Sequence, residues 1–458
     1  MMDELALAVE RMRAEGADFC DARYQTLVTN GIAVVDAAVR RLSEDRGRGV
    51  CLRARKRGSW GYATTVDISK EAVLEAAAKA AMNAKAGTAL GRPIPDTGDA
   101  RADLKADVKL HPAKVGMDEK VQAVLDMDRA QRVDRRIVNT SSVLREEVRQ
   151  NMLVNSYGRQ LSWEEVRTTI MVQAVASEAG RTEFFYDIKG GTTGYEVVKG
   201  TDLEAFGREV GKEALNMLRA EKAPSGLVTC ITDPSISGLL AHEVMGHASE
   251  ADEIVKRRSF LTDMVGRQVA SPLITMVDDG TVPGARGSIP FDDEGTPASR
   301  TVIIEEGGYK GYMQSLETAA EMGARPTGNG RAQSYDRRVW VRMTNTFFEK
   351  GDQGLDEMLS DVRFGVLTDR MISGMEDPVG GGFEAKALRG FLVENGRVTR
   401  PLRSFTLTGN ALEILGTADA VGDEVRLDGG SCGKGIEDWV PVSSGGPYCR
   451  FKIVLGGD

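Results

Sequence analysis

An α+β chain in two halves is predicted here: an N-terminal antiparallel sheet with long helices, followed by a β-rich C-terminal half. Three observations carry that prediction. Apolar residues at helical spacing concentrate in the first half. Between them lie alternating runs broken by short polar turns, the signature of half-buried strands. After Glu221-Lys222-Ala223-Pro224-Ser225-Gly226 the pattern changes to short β-branched runs punctuated by glycine. The boundary so drawn separates residues 1–223 from 224–458, with a subdivision near 87–111.

Taken in order, Asp3 to Ala14 reads as an amphipathic helix with acids and arginines, unlike a signal peptide. Ala22 to Val28, Ile32 to Val39, Gly49 to Ala54 and Trp60 to Thr64 read as strands. Ser69 to Ala86 is an alanine-rich helix capped by Asp67 or Ser69. Gly87 to His111, rich in Gly, Pro and Asp, reads as a linker or long loop. Met117 to Arg132 is a helix, Val138 to Glu178 returns to strands with a turn at Asn155 to Gly158, and Thr201 to Ala220 is again helical. In the second half, Leu227 to Thr232 reads as a buried strand and Leu355 to Val362 as a short helix. Asn395-Gly396 between apolar runs reads as a hairpin turn.

Composition narrows the function. A net charge of −9 over 458 residues argues against general nucleic-acid binding, which needs a basic face. No apolar run approaches the ~20 residues that would span a membrane. Five scattered cysteines, an odd number, imply a reducing compartment such as the cytoplasm, not a disulfide framework.

The chemistry is concentrated in Ala241-His242-Glu243-Val244-Met245-Gly246-His247, which holds two of the chain's three histidines. Neutral imidazole is the commonest zinc ligand, and a neighbouring carboxylate can serve as base. In the familiar His-Glu-x-x-His helix the ligands share one face at i and i+4. Here they are five apart, and on a regular helix of about 100° per residue they would point roughly 140° apart. Both reach one ion only if the helix loosens. Gly246, tolerant of left-handed backbone, would allow this, placing His247 just past the helix or on a π-bulge. Asp233 as N-cap and Pro234 at the first position start that helix, and Ile236, Leu239 and Leu240 form its apolar stripe. Two satisfied core histidines are the plainer alternative.

A zinc site needs a third protein ligand. His111 sits in a lysine-rich segment and reads as a surface residue. Cys432, in Gly429-Gly430-Ser431-Cys432-Gly433-Lys434, stands out because flanking glycines let the backbone approach an ion and Lys434 would favour the thiolate. Glu250 and Asp252 are the runner-up ligands. Cys20, Cys51, Cys230 and Cys449 read as small core residues.

The chain resembles the TldD branch of the TldD/PmbA metallopeptidases. The resemblance rests on His242-Glu243-x-x-x-His247 together with Asp278-Asp279-Gly280-Thr281, Asp292-Asp293-Glu294-Gly295-Thr296-Pro297, Thr327-Gly328-Asn329-Gly330-Arg331 and Arg342-Met343-Thr344-Asn345-Thr346. Gly16-Ala17-Asp18, Gly47 to Val50, Gly58 to Ala63 and Asn155 to Gly158 extend it toward the N-terminus. It implies zinc (Zn2+) held by His242, His247 and Cys432, Glu243 as general base and acid, and a small or unfolded peptide as substrate. It also implies a homodimer or a heterodimer with a PmbA-like subunit. The other roles the family brings are a non-catalytic PmbA-like subunit, which lacks the His-Glu-x-x-x-His residues, and a regulatory binding protein. Family members further carry a triple glycine followed by Val-Asp that resembles an edge strand for peptide. Here Gly380-Gly381-Gly382 is followed by Phe383-Glu384, a departure that bears on substrate preference.

Overall fold

The computed structural model describes residues 1–84, 91–435 and 439–456. The predicted end of the alanine-rich helix at Ala86 and the start of the 87–111 segment fall outside these. The fold is α+β, as the pattern predicts.

In the N-terminal half, Phe19–Val35 is the centre of an antiparallel sheet, paired with Ala38–Lys56 on one side and Ile137–Asn155 on the other. Ser59–Thr65 lies outside Ala38–Lys56, and Gln160–Glu178 outside Ile137–Asn155. The last edge is shared, with Arg101–Leu104 adding in parallel at Gln160 and Arg181–Gly191 adding antiparallel from Thr168 onward. Two expectations are corrected here. The strands read as ending at Val28 and restarting at Ile32 are one strand, because Asn30 and Gly31 continue the pairing. The turn sits instead at Asp36-Ala37, both with positive φ as a tight hairpin requires. And the 87–111 segment is no free linker: Arg101–Leu104 joins the sheet, Ile94 is buried, and its carbonyl accepts from Tyr157 Oη at 2.8 Å.

Period-two alternation gives this sheet an apolar and a polar face. Cys20, Ala22, Leu52 and Ala54 pack under helices Met2–Ala14 and Lys70–Asn83. Further along, helices Met117–Ala130 and Leu203–Met217 cover Ile32, Val34, Ile170 and Val172. The opposite face carries Asp21, Arg23, Arg53, Glu147, Glu165 and Arg167, all buried under the C-terminal half. Some of these charges pair within the sheet, as Arg167 does with Glu147 and Glu165, and others pair across the junction. Arg53 donates to Glu294 at 2.8 Å and to Asp21 at 3.0 Å, Arg23 pairs with Asp293, and Arg159 donates to the Gly295 carbonyl at 2.8 Å.

The C-terminal half is built on two sheets. Strands Gly226–Thr232, Cys449–Gly456, Phe405–Asn410, Gly382–Glu394 and Phe364–Glu376 pair in that order, and the last pairs back to the first, closing a ring. The second sheet runs Gly308–Tyr309, Arg300–Glu305, Met276–Asp279, Asn345–Phe348, Val440–Gly446 and Arg426–Cys432. The short helix Pro234–Leu239 is buried in the apolar core that both sheets share. Asn395 and Gly396 form the expected hairpin turn, both at positive φ. No helix among the described residues is long and apolar enough to cross a membrane.

Removing Arg53 would strand Asp21 and Glu294 as buried, unpaired charges, a change that typically costs about 3–5 kcal/mol. Urea unfolding of Arg53→Ala should show a loss of that order. A change below about 1 kcal/mol, the range of exposed pairs, would show that the junction does not depend on it.

Candidate metal centre

Asp233 starts the site helix as its N-cap, accepting from the Ser235 amide at 3.0 Å, with Pro234 in the first turn. Asp233 is itself held by Thr368 Oγ1 at 2.7 Å. After Leu239 the helix widens into a π-turn over Leu240–Gly246 and closes in a 3-10 turn over His247–Ser249. The His247 amide donates to the His242 carbonyl, an i→i+5 bond. That bond brings residues five apart onto one side of the helix. The two rings stand at 85° with centroids 5.2 Å apart.

The expected loosening of the helix takes the form of this π-turn with His247 at its end, but Gly246 does not serve it through left-handed backbone. Its φ of −65° is ordinary right-handed helix. What the position forbids is a Cβ, which would lie 2.2 Å from Met343 Sδ. Glycine is there for space, not torsion.

Cys432 closes the group from the end of strand Arg426–Cys432. One ligating atom from each of His242, His247 and Cys432 lies within 4.8 Å of the others, and Cys432 Sγ is 3.3 Å from His247 Nε2. Cys432 and His242 are each 5 % exposed. Burial raises the thiol, but His247 and His242 beside it outweigh this and hold it well below its ordinary range, favouring thiolate. Lys434 does not do this. Its ammonium donates to Glu250 at 2.8 Å and to Asp252 at 2.7 Å. Both runner-up carboxylates are thereby engaged away from the donors, and Glu250 turns its Oε2 to His247 Nδ1 at 3.4 Å. A carboxylate in that position fixes the ring's orientation.

Two residues were missed in the sequence. Arg342, fully buried, donates to the Cys432 carbonyl at 2.7 Å and lies 3.7 Å from Glu250. Glu376 ends strand Phe364–Glu376 and groups with Glu243 and His247, one ligating atom of each within 4.8 Å. Nothing in its local sequence marks it. The hairpin register that aligns it with Phe383 is what brings it near. Gly380–Gly382 belong to the turn of that hairpin: Gly381 donates to the Asp377 carbonyl, Gly382 accepts from the Asp377 amide, and Gly381 accepts from Ala411, each at 2.8 Å. Those main-chain groups bond within the fold instead of lining an open edge.

The donor set fits a metal ion. Two imidazoles and a thiolate are zinc-type ligands, and His242 Nδ1 is buried with no hydrogen-bond partner among the described residues.

Over residues 225–457 the chain matches the PmbA/TldA metallopeptidase C-terminal domain, over 110–218 the central domain and over 20–84 domain 1. The chain belongs to the PmbA/TldD family. It is 33 % identical over 443 residues to a metalloprotease of Methanothermobacter thermautotrophicus, covering 96 % of this chain and 95 % of that one. A metalloprotease TldD homolog of Haemophilus influenzae is 30 % identical over 459 residues, covering 97 % and 94 %. The crystal structure of TldE from Thermococcus kodakarensis superposes with a TM-score of 0.78 at 20 % identity, covering 99 % of each chain, a likeness of fold.

Gly246→Ala should destabilise the protein by about 1–3 kcal/mol through overpacking against Met343. The cost should shrink in a Met343→Ala background, which a double-mutant cycle of thermal unfolding measures. Equal cost in both backgrounds would exclude the contact as the reason for glycine.

Proposed function

We propose that this chain is a zinc-dependent peptidase acting on small or unfolded peptides, with His242, His247 and Cys432 as the metal ligands and Glu243 as general base and acid. The observation that carries this is the convergence of two neighbouring imidazoles with a thiol from far along the chain, beside a buried carboxylate, with Glu243 Oε2 3.8 Å from His247 Nε2. Zinc bound there would polarise the scissile carbonyl and make water acidic near neutral pH.

The remaining work falls to side chains. Glu243 removes the proton of the attacking water on its carboxylate and delivers it to the leaving amine. Burial lifts its pKa to about 7, against the pull of His242 and His247 and with Glu376 adding to the rise, which suits a group that must both take and give a proton. Glu250 holds His247 in register, and Arg342 fixes the strand end that presents Cys432. The low exposure of the donors limits access to extended chains. Pairing with a second copy, or with a PmbA-like subunit, belongs to this reading, as does a reducing compartment that keeps Cys432 a thiol.

Incubating the zinc-loaded protein with a mixed library of unstructured peptides, and reading products by mass spectrometry, tests it. Glu243→Gln should lower turnover by about 10²–10⁴ while zinc content stays unchanged. Equal cleavage by both proteins, or a native protein that binds no zinc, would overturn the assignment. Chelation should lower the melting temperature, because donors from both ends of the C-terminal half share the ion. An unchanged melt would count against the three-ligand site.

A further inference from the structure

Among the described residues, the strand that ends in Cys432 has an unpaired edge. Arg426–Cys432 pairs with Val440–Gly446 on one side only. Beside it, against Gln160–Glu178 and Arg181–Gly191 of the N-terminal sheet, lie two adjoining cavities of about 310 and 270 Å3. They share Thr169, Ile188, Arg286 and Gly429. One extends to Ser431, next to Cys432, and the other to Ser235 in the first turn of the site helix.

Arg286 is the charged group common to both. Its Nε donates to the Gly430 carbonyl at 3.1 Å and its Nη1 to Thr169 Oγ1 at 3.0 Å, leaving Nη2 without a partner among the described residues. No carboxylate lies within 4.0 Å of it among those residues, and the same holds for Arg145 in the same walls. Lys189 contributes only its backbone side, its ammonium standing over the Phe206 ring at 4.8 Å on the helix-covered face of the sheet. Arg370 also lines the slot but is matched by Asp187 at 2.5 Å. The one acid in the walls is Asp428, on which Arg370 exerts the strongest attraction. Burial pushes the Arg286 guanidinium down to about 10, against the pull of the more distant Glu147 and with Arg167 and Arg145 adding to the lowering. A desolvated cation without its counter-ion is costly unless a ligand supplies one, and guanidinium is suited to receive a carboxylate in two parallel bonds.

We propose that this slot is a subsite for a carboxylate of the peptide substrate, received by Arg286 and attracted by Arg145. The inference rests on the peptidase reading above and adds a substrate class to it. From Cys432 to Gly429 is about 10 Å, three residues at ~3.3 Å each. A peptide extended along this strand would therefore place its acidic group about three residues from the scissile bond. An Asp or Glu side chain and a free C-terminal carboxylate offer the same chemistry.

Four fluorescent peptides separate these sources: one sequence with Glu or Gln at the tested position, each ending in a free acid or an amide. Binding is read by anisotropy on zinc-loaded, full-length Glu243→Gln, so that cleavage does not enter. A peptide bearing the favoured carboxylate should bind about tenfold more tightly than its neutral counterpart, the worth of one charged hydrogen-bonded pair. Adding Arg286→Gln should reduce that ratio to about twofold or less. Should the double variant not fold, Arg145→Gln and raised salt take its place, and both should diminish the ratio. Equal affinity for acidic and neutral peptides, a ratio untouched by the substitutions, or no binding at all would overturn the subsite. A preference that persists in binding while the native enzyme cleaves no peptide would retain the subsite and refute the peptidase.

Discussion

The i→i+5 hydrogen bond from the His247 amide to the His242 carbonyl is the constraint on which the site depends. An α-helical turn would leave His247 pointing away from His242, and no rearrangement of Cys432 could then complete the group. The widened turn is a poor conformation by itself, so its surroundings must impose it. Met343 packs where a side chain on Gly246 would be, and every residue from Pro234 to His242 is buried. The core selects the turn, and the turn brings the two imidazoles together.

The same core ties the distant motifs to Cys432 through a continuous chain of bonds. Asp278 accepts from the Thr344 amide, from Thr346 Oγ1 and from Asn329 Nδ2, all within 2.8 Å. Asn329 also donates to the Arg342 carbonyl, and Arg342 donates to the Cys432 carbonyl. Asp292 plays a similar part in its own loop, accepting from the amides of Glu294, Thr296 and Gly330, while the neighbouring Asp293 and Glu294 grip Arg23 and Arg53 of the N-terminal sheet. The motifs that carry the family resemblance are thus the scaffold that aims a thiol.

What the sequence revealed follows from how local each signal is. Asp233 and Pro234 announce the start of the site helix, and Asn395-Gly396 announces its turn, because caps and tight turns are decided by a few adjacent residues. The unusual spacing of His242 and His247 was readable for the same reason. Cys432 lies 185 residues from His247, and only the resemblance to a family linked them. Glu376 had no local mark at all, since strand register carries it to the site. Arg101–Leu104 hid in a Gly- and Pro-rich stretch because pairing with Gln160–Trp163, not propensity, makes it a strand. Lys434 was assigned to the wrong partner for a related reason: proximity in sequence to Cys432 says nothing about the two acids that the 251–255 helix brings to it.

Glu243 and Glu250 show how the fold divides labour between two carboxylates seven residues apart. Burial alone would raise both. At Glu250, Lys434, His247 and Arg342 more than reverse the effect, and its carboxyl falls far below the usual range. At Glu243 the imidazoles do not offset burial, Glu376 adds to the rise, and the pKa stands at about 7. One environment makes a permanent anion, fit to orient a ring; the other makes a group that exchanges its proton near neutrality. Environments that drive paired titratable groups apart in this way assign acid–base roles. Here the cations are distributed so that Glu250 is saturated with them and Glu243 is not, which makes Glu250, despite lying within reach of His247, poorly suited to be either ligand or base.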